Sequence, residues 1–268
     1  MDEMILEKLI ADVQTNRKYA RITRELVHRL SQDALSRGLR GKAAVKEVRN
    51  KLHQVGGAYF KTIPNYPKAI HALSELPSSL DSDQIRQFCL KQMESHASTA
   101  ERLPILESFF AACLEPITPV KSVLDLACGL NPLAIPWMPL KENFSYQACD
   151  IYLDMLILIE AFFTHCRIDG RTSGCDLAGG VPQERAQVAL LLKSIPCLEQ
   201  IDREIGLSLL KNIRADHILV SFPVRSLSGQ KKGMSAFYRE HFLKIVADTG
   251  WTIQEFEFSS ELAFLVTK

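Results

Sequence analysis

The sequence predicts an α/β protein: a mostly parallel, seven-stranded sheet with crossover helices and a C-terminal antiparallel hairpin, preceded by a helical, basic N-terminal unit. Three observations carry this expectation. Short β-rich runs alternate with helical stretches from Val120 onward. Helical periodicity with few strand signals fills Met1 to about Leu114. Positive charge is concentrated near the N-terminus: thirteen Lys or Arg against three acids (Glu25, Asp33, Glu47) from Arg17 to Lys68, a local balance of +10 that leaves −9 for the remainder. The boundary is placed so that residues 1–95 form the helical unit and 96–268 the α/β unit.

At 268 residues, 47% hydrophobic and 24% charged, the chain can bury a sizeable core. No stretch approaches the roughly 18 apolar residues of a membrane span, and the opening "MDEMILEKLI" is acidic and amphipathic rather than a leader. A soluble, unexported, cytoplasmic protein is expected. The seven cysteines are scattered, odd in number and without a C-x-x-C pair, which argues against a disulfide framework and against a zinc site, so no metal is assigned.

In the N-terminal unit, "NRKYARITRELVHRL" spaces Ile22, Leu26 and Leu30 for one helix face, with Arg17, Lys18, Arg21, Arg24 and Arg29 around them. "GKAAVKEVRNKLHQVGGAYF" repeats the plan with Val45, Val48, Leu52 and Val55 inward, and Lys46, Arg49 and Lys51 outward. Such an excess of one sign either is a solvated helix surface or meets a polyanion, and the size of the excess favours the polyanion. Arginine predominates and no face of Trp, Phe and Leu accompanies it, so nucleic acid is expected rather than membrane.

In the second unit the β-rich runs are "VKSVLDLAC", "FSYQACDI", "AQVALLLK", "ADHILVSFP", "WTIQEFEFS" and "ELAFLVTK", the last two joined near Ser259 and Ser260. Ligands of such sheets bind beyond the carboxyl ends of the strands, where "LDLACGLNPLA" (Leu124 to Ala134) falls. A pyrophosphate loop needs several glycines for the backbone to approach two phosphates. This loop has Gly129 followed by Asn131 and Pro132, which suits a ligand without phosphates, S-adenosylmethionine. Its adenosine would lie over the turn at Ala127 to Gly129. Asp150, ending the second strand in "ACDIY", stands where an acid accepts from both ribose hydroxyls, and Asp176 in "GCDLA" could face the adenine amino group with Leu177 on the ring. Asn131 could cap the next segment or face a substrate base.

"HQVGGAY", "HASTAERL", "LDLACGLNPLA", "ACDIY", "LLLKSIPCLEQ" and "VSFPVRSLSGQKKGM" together resemble the aminoglycoside-resistance 16S rRNA (guanine-N7) methyltransferases, with matches running in order from about Leu52 to the C-terminus. The resemblance implies a class I methyltransferase domain behind a helical RNA-docking domain. It implies action on guanine 1405 of 16S rRNA in the assembled 30S subunit, blocking 4,6-disubstituted deoxystreptamine drugs. No membrane and no obligate protein partner are expected. By the same resemblance Arg102 holds the methionine carboxylate, a bidentate task suited to guanidinium, His96, Ala97 and Ser98 line the pocket, and Tyr59, Leu192 and Gln200 are pocket positions. Ser98 and Glu101 are spaced as a capping box, so a helix is expected to start there.

Guanine N7 carries a free lone pair, so no general base is expected. The segment after the fourth strand, "LLKSIPCL", lacks the acid or amide of enzymes that methylate exocyclic amines. Pro196-Cys197 leaves cytosine C5 methylation open, with Cys197 either a nucleophile or a small apolar residue at a helix start. Lys193 is either near the reacting atoms or a solvated strand terminus. The loop "SFPVRSLSGQKKGMSAFY" either brings Arg225, Lys231 and Lys232 to phosphates and Met234 or Tyr238 to the base, or is a flexible, solvated loop with Tyr238 in the core of the next helix. Two further alternatives are methylation of another rRNA base, such as an adenine N1, and a non-catalytic ribosome-binding protein.

Overall fold

The computed structural model describes residues 3–56, 64–224 and 233–268. The N-terminal helices α1 (Glu3–Gln14), α2 (Arg24–Ser36) and α3 (Gly41–Val55) pack on one another. Each does so through residues three or four apart: Leu6, Leu9, Ile10 and Val13 in α1, Leu26, Val27 and Leu30 in α2, Ala44, Val48 and Leu52 in α3. Gly38 ends α2 in the left-handed region (φ 83), where its amide bonds to Leu35 and that of Leu39 to Ala34, closing the last turn.

The periodicity predicts a helix through Asn16 to Leu30, but α2 begins only at Arg24. Tertiary pairing overrides the pattern. Ile22 forms a bridge with Tyr152, the Thr23 amide donates to the Ile151 carbonyl (2.8 Å), and the Leu153 amide donates to the Arg21 carbonyl (2.9 Å). Arg17, Lys18 and Arg21 therefore lie on the connection before the helix.

Helices α4 (Tyr66–Ser74), α5 (Asp83–Met93), α6 (Ala97–Arg102) and α7 (Leu106–Leu114) follow. Asn65 caps α4 by accepting from the Lys68 amide. The expected capping box does not form: α6 starts after His96, placing Ser98 inside the helix, and Glu101 turns to Lys193 instead (2.9 Å).

The sheet comprises β1 (Val120–Leu126), β2 (Leu140–Asp150), β3 (Asp169–Gly174), β4 (Ala186–Leu192), β5 (Ala215–Pro223), β6 (Thr252–Glu257) and β7 (Glu261–Thr267) in the order β3-β2-β1-β4-β5-β7-β6. Strands β1 to β5 run parallel, and β7 is antiparallel to β5 and β6. The order reverses between β1 and β4, which is where open α/β sheets bind ligands. Helix α8 (Leu153–His165) follows β2. After β4 come α9 (Ile195–Leu198) and α10 (Ile205–Asn212), and α11 (Met234–Val246) precedes the hairpin.

Two apolar layers cover the sheet. One merges Leu26 and Leu52 of the N-terminal helices with Tyr146, Phe162 and Phe163, while the other centres on Phe222, Phe242 and Phe264. Strand β3 carries no apolar alternation and is not among the β-rich runs. It forms because Gly170 lets α8 close on it: a Cβ there would lie 2.4 Å from Phe163 Cδ2. Cys149 and Cys175, at the ends of β2 and β3, are joined as a disulfide with Cα atoms 5.8 Å apart, one bridge where the scattered cysteines predict none. Among the described residues, no helix is long and apolar enough to cross a membrane.

Phe163 is 1% exposed and Ile157, on the outer face of the same helix, 59%. Phe163→Ala should lower unfolding free energy by about 3–5 kcal/mol in denaturant titrations, and Ile157→Ala by less than about 1 kcal/mol. Equal effects would mean that α8 does not close the sheet edge in this way.

Candidate functional site

The chain leaves β1 through a turn in which Ala127 (φ 50) and Gly129 (φ 52) are both left-handed. Ala127 holds a conformation that L residues rarely adopt, which marks the turn as fixed by its surroundings. At Gly129 a Cβ would meet His96 Cε1 at 2.9 Å, so the ring seats directly on the glycine. The Gly129 amide donates to Asp150 Oδ2 (2.9 Å) and the Tyr152 amide to Asp150 Oδ1 (3.1 Å). Burial raises the Asp150 pKa, and these backbone donors oppose the rise.

These residues line one partly open cavity beyond the carboxyl ends of the strands. Of the expected cofactor residues, His96, Ser98, Ala127, Gly129, Asp150, Asp176, Leu177 and Leu192 face this cavity. Ala97, Arg102 and Gln200 do not, and Tyr59 lies outside the described residues. Gln200 is exposed, with its carbonyl accepting from Lys51 Nζ (3.3 Å).

At one end, Asp176 starts a turn in which its carboxylate accepts from the Ala178 amide (3.2 Å). Arg29 of α2 grips the same carboxylate through Nε (2.6 Å) and Nη2 (2.9 Å). Leu26 and Gly56 also face the cavity, so the N-terminal helices form part of its wall. Sequence reasoning missed these residues: Leu26 belongs to an ordinary apolar stripe, and nothing local shows that its end opens onto a ligand.

At the other end the wall carries a cation. Lys193 is 4% exposed in a left-handed conformation (φ 58), so it is not a solvated strand terminus. Its Nζ donates to Glu101 (2.9 Å) and the Ser98 carbonyl (3.3 Å) and lies 3.3 Å from Glu261. Behind it, Arg102 is 1% exposed and stacked 4.9 Å over Phe109. Its Nε and Nη2 donate to Glu261 and its Nη1 to Asn131 (2.9 Å). Asn131 neither caps a segment nor reaches outward: it links Arg102 to Asp125 Oδ2 (2.8 Å), which also accepts from the Tyr146 hydroxyl (2.7 Å). Burial would raise the Glu261 pKa, but Arg102 and Lys193 outweigh it and hold the carboxyl below its ordinary range. Glu261 escaped sequence reasoning because "SSELAF" reads as a turn entering a strand.

Arg225, Lys231 and Lys232 lie outside the described residues. Met234 opens α11, and Tyr238 stacks on Phe222 with ring centroids 5.0 Å apart. Cys197 faces the cavity, with Sγ 3.8 Å from the Lys193 carbonyl oxygen. Among the N-terminal cations, Arg17, Arg21 and Lys46 are exposed. Several others are committed within the chain: Arg24 pairs with Glu7, Lys18 contacts His53 (3.0 Å), and Arg49 donates to the Asp12 and Val13 carbonyls and the Thr15 hydroxyl.

The cavity fits S-adenosylmethionine. It joins apolar walls to buried carboxylates at two strand ends, and its turn carries one close-packed glycine rather than the several a pyrophosphate needs.

Two buried groups in and under this site titrate in opposite senses. Burial, aided by Arg102 and Lys193, lowers the His96 pKa from 6.5 to about 4. Unfolding therefore takes up a proton between these values, and stability from this group rises with pH across that window. Burial raises the Asp125 pKa from 3.8 to about 7 against its hydrogen bonds from Asn131 and Tyr146, so its contribution is present at low pH and lost as pH rises toward 7. His96→Gln should unmask a loss of about 4 kcal/mol from pH 4 to 7, and Asp125→Asn a gain of about 3 kcal/mol from pH 4 to 6.5, at roughly 1.4 kcal/mol per pKa unit. Denaturant titrations at each pH check both slopes, and parallel profiles for the two variants would contradict them.

The model for the family described as ribosomal RNA methyltransferase (FmrO) matches residues 15–265. The chain is 34% identical to a 16S rRNA (guanine(1405)-N(7))-methyltransferase of Frankia casuarinae, covering 99% of this chain and 95% of that protein. It is 32% identical to the enzyme of the same description from Micromonospora rosea, covering 98% and 97%. Its fold superposes on the crystal structure of the 16S rRNA methyltransferase RmtF in complex with S-adenosyl-L-homocysteine with a TM-score of 0.85, 30% identity, and coverage of 100% and 99%. The 16S rRNA methylase RmtB gives 0.79 at 25% identity, with 98% of each chain covered. Matched over residues 15–265 and at least 32% identical over nearly its whole length to these two relatives, the chain belongs to the FmrO family of ribosomal RNA methyltransferases.

Proposed function

We propose that this chain transfers the methyl group of S-adenosylmethionine to N7 of guanine 1405 of 16S rRNA, acting on the assembled 30S subunit and thereby conferring resistance to 4,6-disubstituted deoxystreptamine aminoglycosides. The observation that carries the reading is the cavity at the β1/β4 switch point, with Asp150 and Asp176 at successive strand ends, in a chain of this family. Asp150 takes the ribose hydroxyls, and Asp176 accepts from the adenine amino group with Leu177 and Leu192 against the ring. Lys193, on the cavity wall, meets the methionine carboxylate, while Arg102 behind it holds the Glu261 carboxylate that faces Lys193. S-adenosylmethionine supplies an electrophilic methyl on sulfonium, and N7 attacks with a lone pair that carries no proton. The side chains therefore have to align rather than to remove a proton, which agrees with a site whose one histidine is held neutral by burial.

The exposed cations Arg17, Arg21 and Lys46 dock on rRNA phosphates. The unit over residues 1–95 is the docking part and 96–268 the methyl-transfer part.

Mapping the modified nucleotide by primer extension and mass spectrometry should place a single N7-methylguanine at 1405, and expression in a susceptible bacterium should give resistance to gentamicin and kanamycin but not apramycin. A methyl on adenine N1 or cytosine C5 would overturn the assignment. Asp150→Ala should abolish S-adenosylhomocysteine binding in calorimetry while subunit binding persists. Loss of both would make Asp150 structural. Reversing Arg17, Arg21 and Lys46 to Glu should weaken subunit binding and flatten log K against log salt by about 2 to 3, at roughly 0.7–0.9 per phosphate contact.

A further inference from the structure

We infer that Arg29, on helix α2 of the basic N-terminal unit, is a positioning residue for the adenine end of the cofactor pocket. It acts through Asp176, and the inference rests on the proposed adenine contact of that residue.

Three observations support it. The contact is two-pronged, Nε to Oδ2 at 2.6 Å and Nη2 to Oδ1 at 2.9 Å, the geometry in which a guanidinium fixes the plane of a carboxylate as well as its charge. It is sheltered, with the Asp176 side chain 7% exposed and that of Arg29 31%. It also spans 147 residues of sequence, from the helix bearing Leu26 on the pocket wall to the loop after β3.

The acceptor arithmetic shows what the grip leaves. Oδ1 accepts from Arg29 and from the Ala178 amide, which fills its two lone pairs. Oδ2 accepts from Arg29, and one lone pair remains for a ligand donor. Without Arg29 the carboxylate could rotate about its last bond and present either oxygen. With Arg29 one oxygen is aimed, and it accepts only. A 6-amino group satisfies it, whereas a 6-oxo group, as in the deaminated base, brings acceptor against acceptor.

Calorimetry of the full-length protein with S-adenosylhomocysteine and with its 6-oxo analogue, S-inosylhomocysteine, tests this. Arg29→Met should weaken S-adenosylhomocysteine about tenfold and narrow the preference for it over the analogue, while Arg29→Lys, which keeps one of the two bonds, should recover part of both. In steady-state methylation of 30S subunits, Arg29→Met should raise KM for S-adenosylmethionine with KM for the subunit and kcat nearly unchanged. On an Asp176→Asn background Arg29→Met should add little, because its effect runs through that carboxylate. If Asp176→Asn leaves affinity and base preference intact, the adenine contact of Asp176 fails. If Asp176→Asn weakens binding and Arg29→Met does not, the contact stands and the role of Arg29 fails. A fall in kcat together with weaker binding of both substrates would make Arg29 a structural residue and overturn the inference.

Discussion

The bond from the Gly129 amide to the Asp150 carboxylate holds the site together. It ties the turn after β1 to the tip of β2 and needs both the left-handed turn and the close seating of His96 on a residue without a side chain. Parallel strands share no hairpin at their carboxyl ends, so their loops are free to diverge. Here they are cross-tied instead. The Cys128 amide donates to the Cys149 carbonyl, and the Cys175 amide to that of Asp150. The ends of β1, β2 and β3 thereby become one surface, on which two carboxylates stand at defined positions.

Behind that surface the polar groups are unusually deep. Arg102, Glu261, Asn131 and Asp125 are all nearly inaccessible, and each is held by the next. Taking such charges out of water costs several kcal/mol apiece, and a hydrophobic replacement is often the more stable choice. A stability role alone therefore explains the cluster poorly. What the network provides is a fixed base for Lys193 at the cavity wall, because Glu261, held in place by Arg102, also faces the Lys193 ammonium. The low His96 pKa reflects the same surroundings, since Arg102 and Lys193 add to the effect of burial.

Much of this was legible before folding. Strands β4, β5 and β7 are continuous apolar runs because both of their faces are covered, and such runs announce themselves. Strand β3 does not, because it is an edge built from "DGRTSG" whose partner is the ring of Phe163 rather than its own side chains. That Asp150 and Asp176 stand beside a cavity was legible because position at a strand end is a local property of sequence. Arg102 was singled out only through resemblance, and it bonds to Glu261, 159 residues away, rather than facing the cavity. The start of α2 was misplaced for a similar reason: Ile22 and Thr23 have helical spacing, yet a backbone bridge to Ile151 and Tyr152 claims them.

Counting charges along the N-terminal stretch overstates what a partner can meet. Arg49 spends its donors on carbonyls of the α1 terminus, Arg24 on Glu7, Lys51 on Gln200 and Arg29 on Asp176, and the last two reach across to the α/β unit. The basic residues thus fall into two groups that the sequence cannot separate, those that face outward and those that fasten the N-terminal helices to the α/β unit. Because Leu26 and Gly56 wall the same cavity, the second group makes the N-terminal helices a structural part of the cavity. The N-terminal helices and the sheet then share one continuous core for a physical reason, since a shift of α2 against the sheet would disturb the Asp176 end of the cavity directly through Arg29.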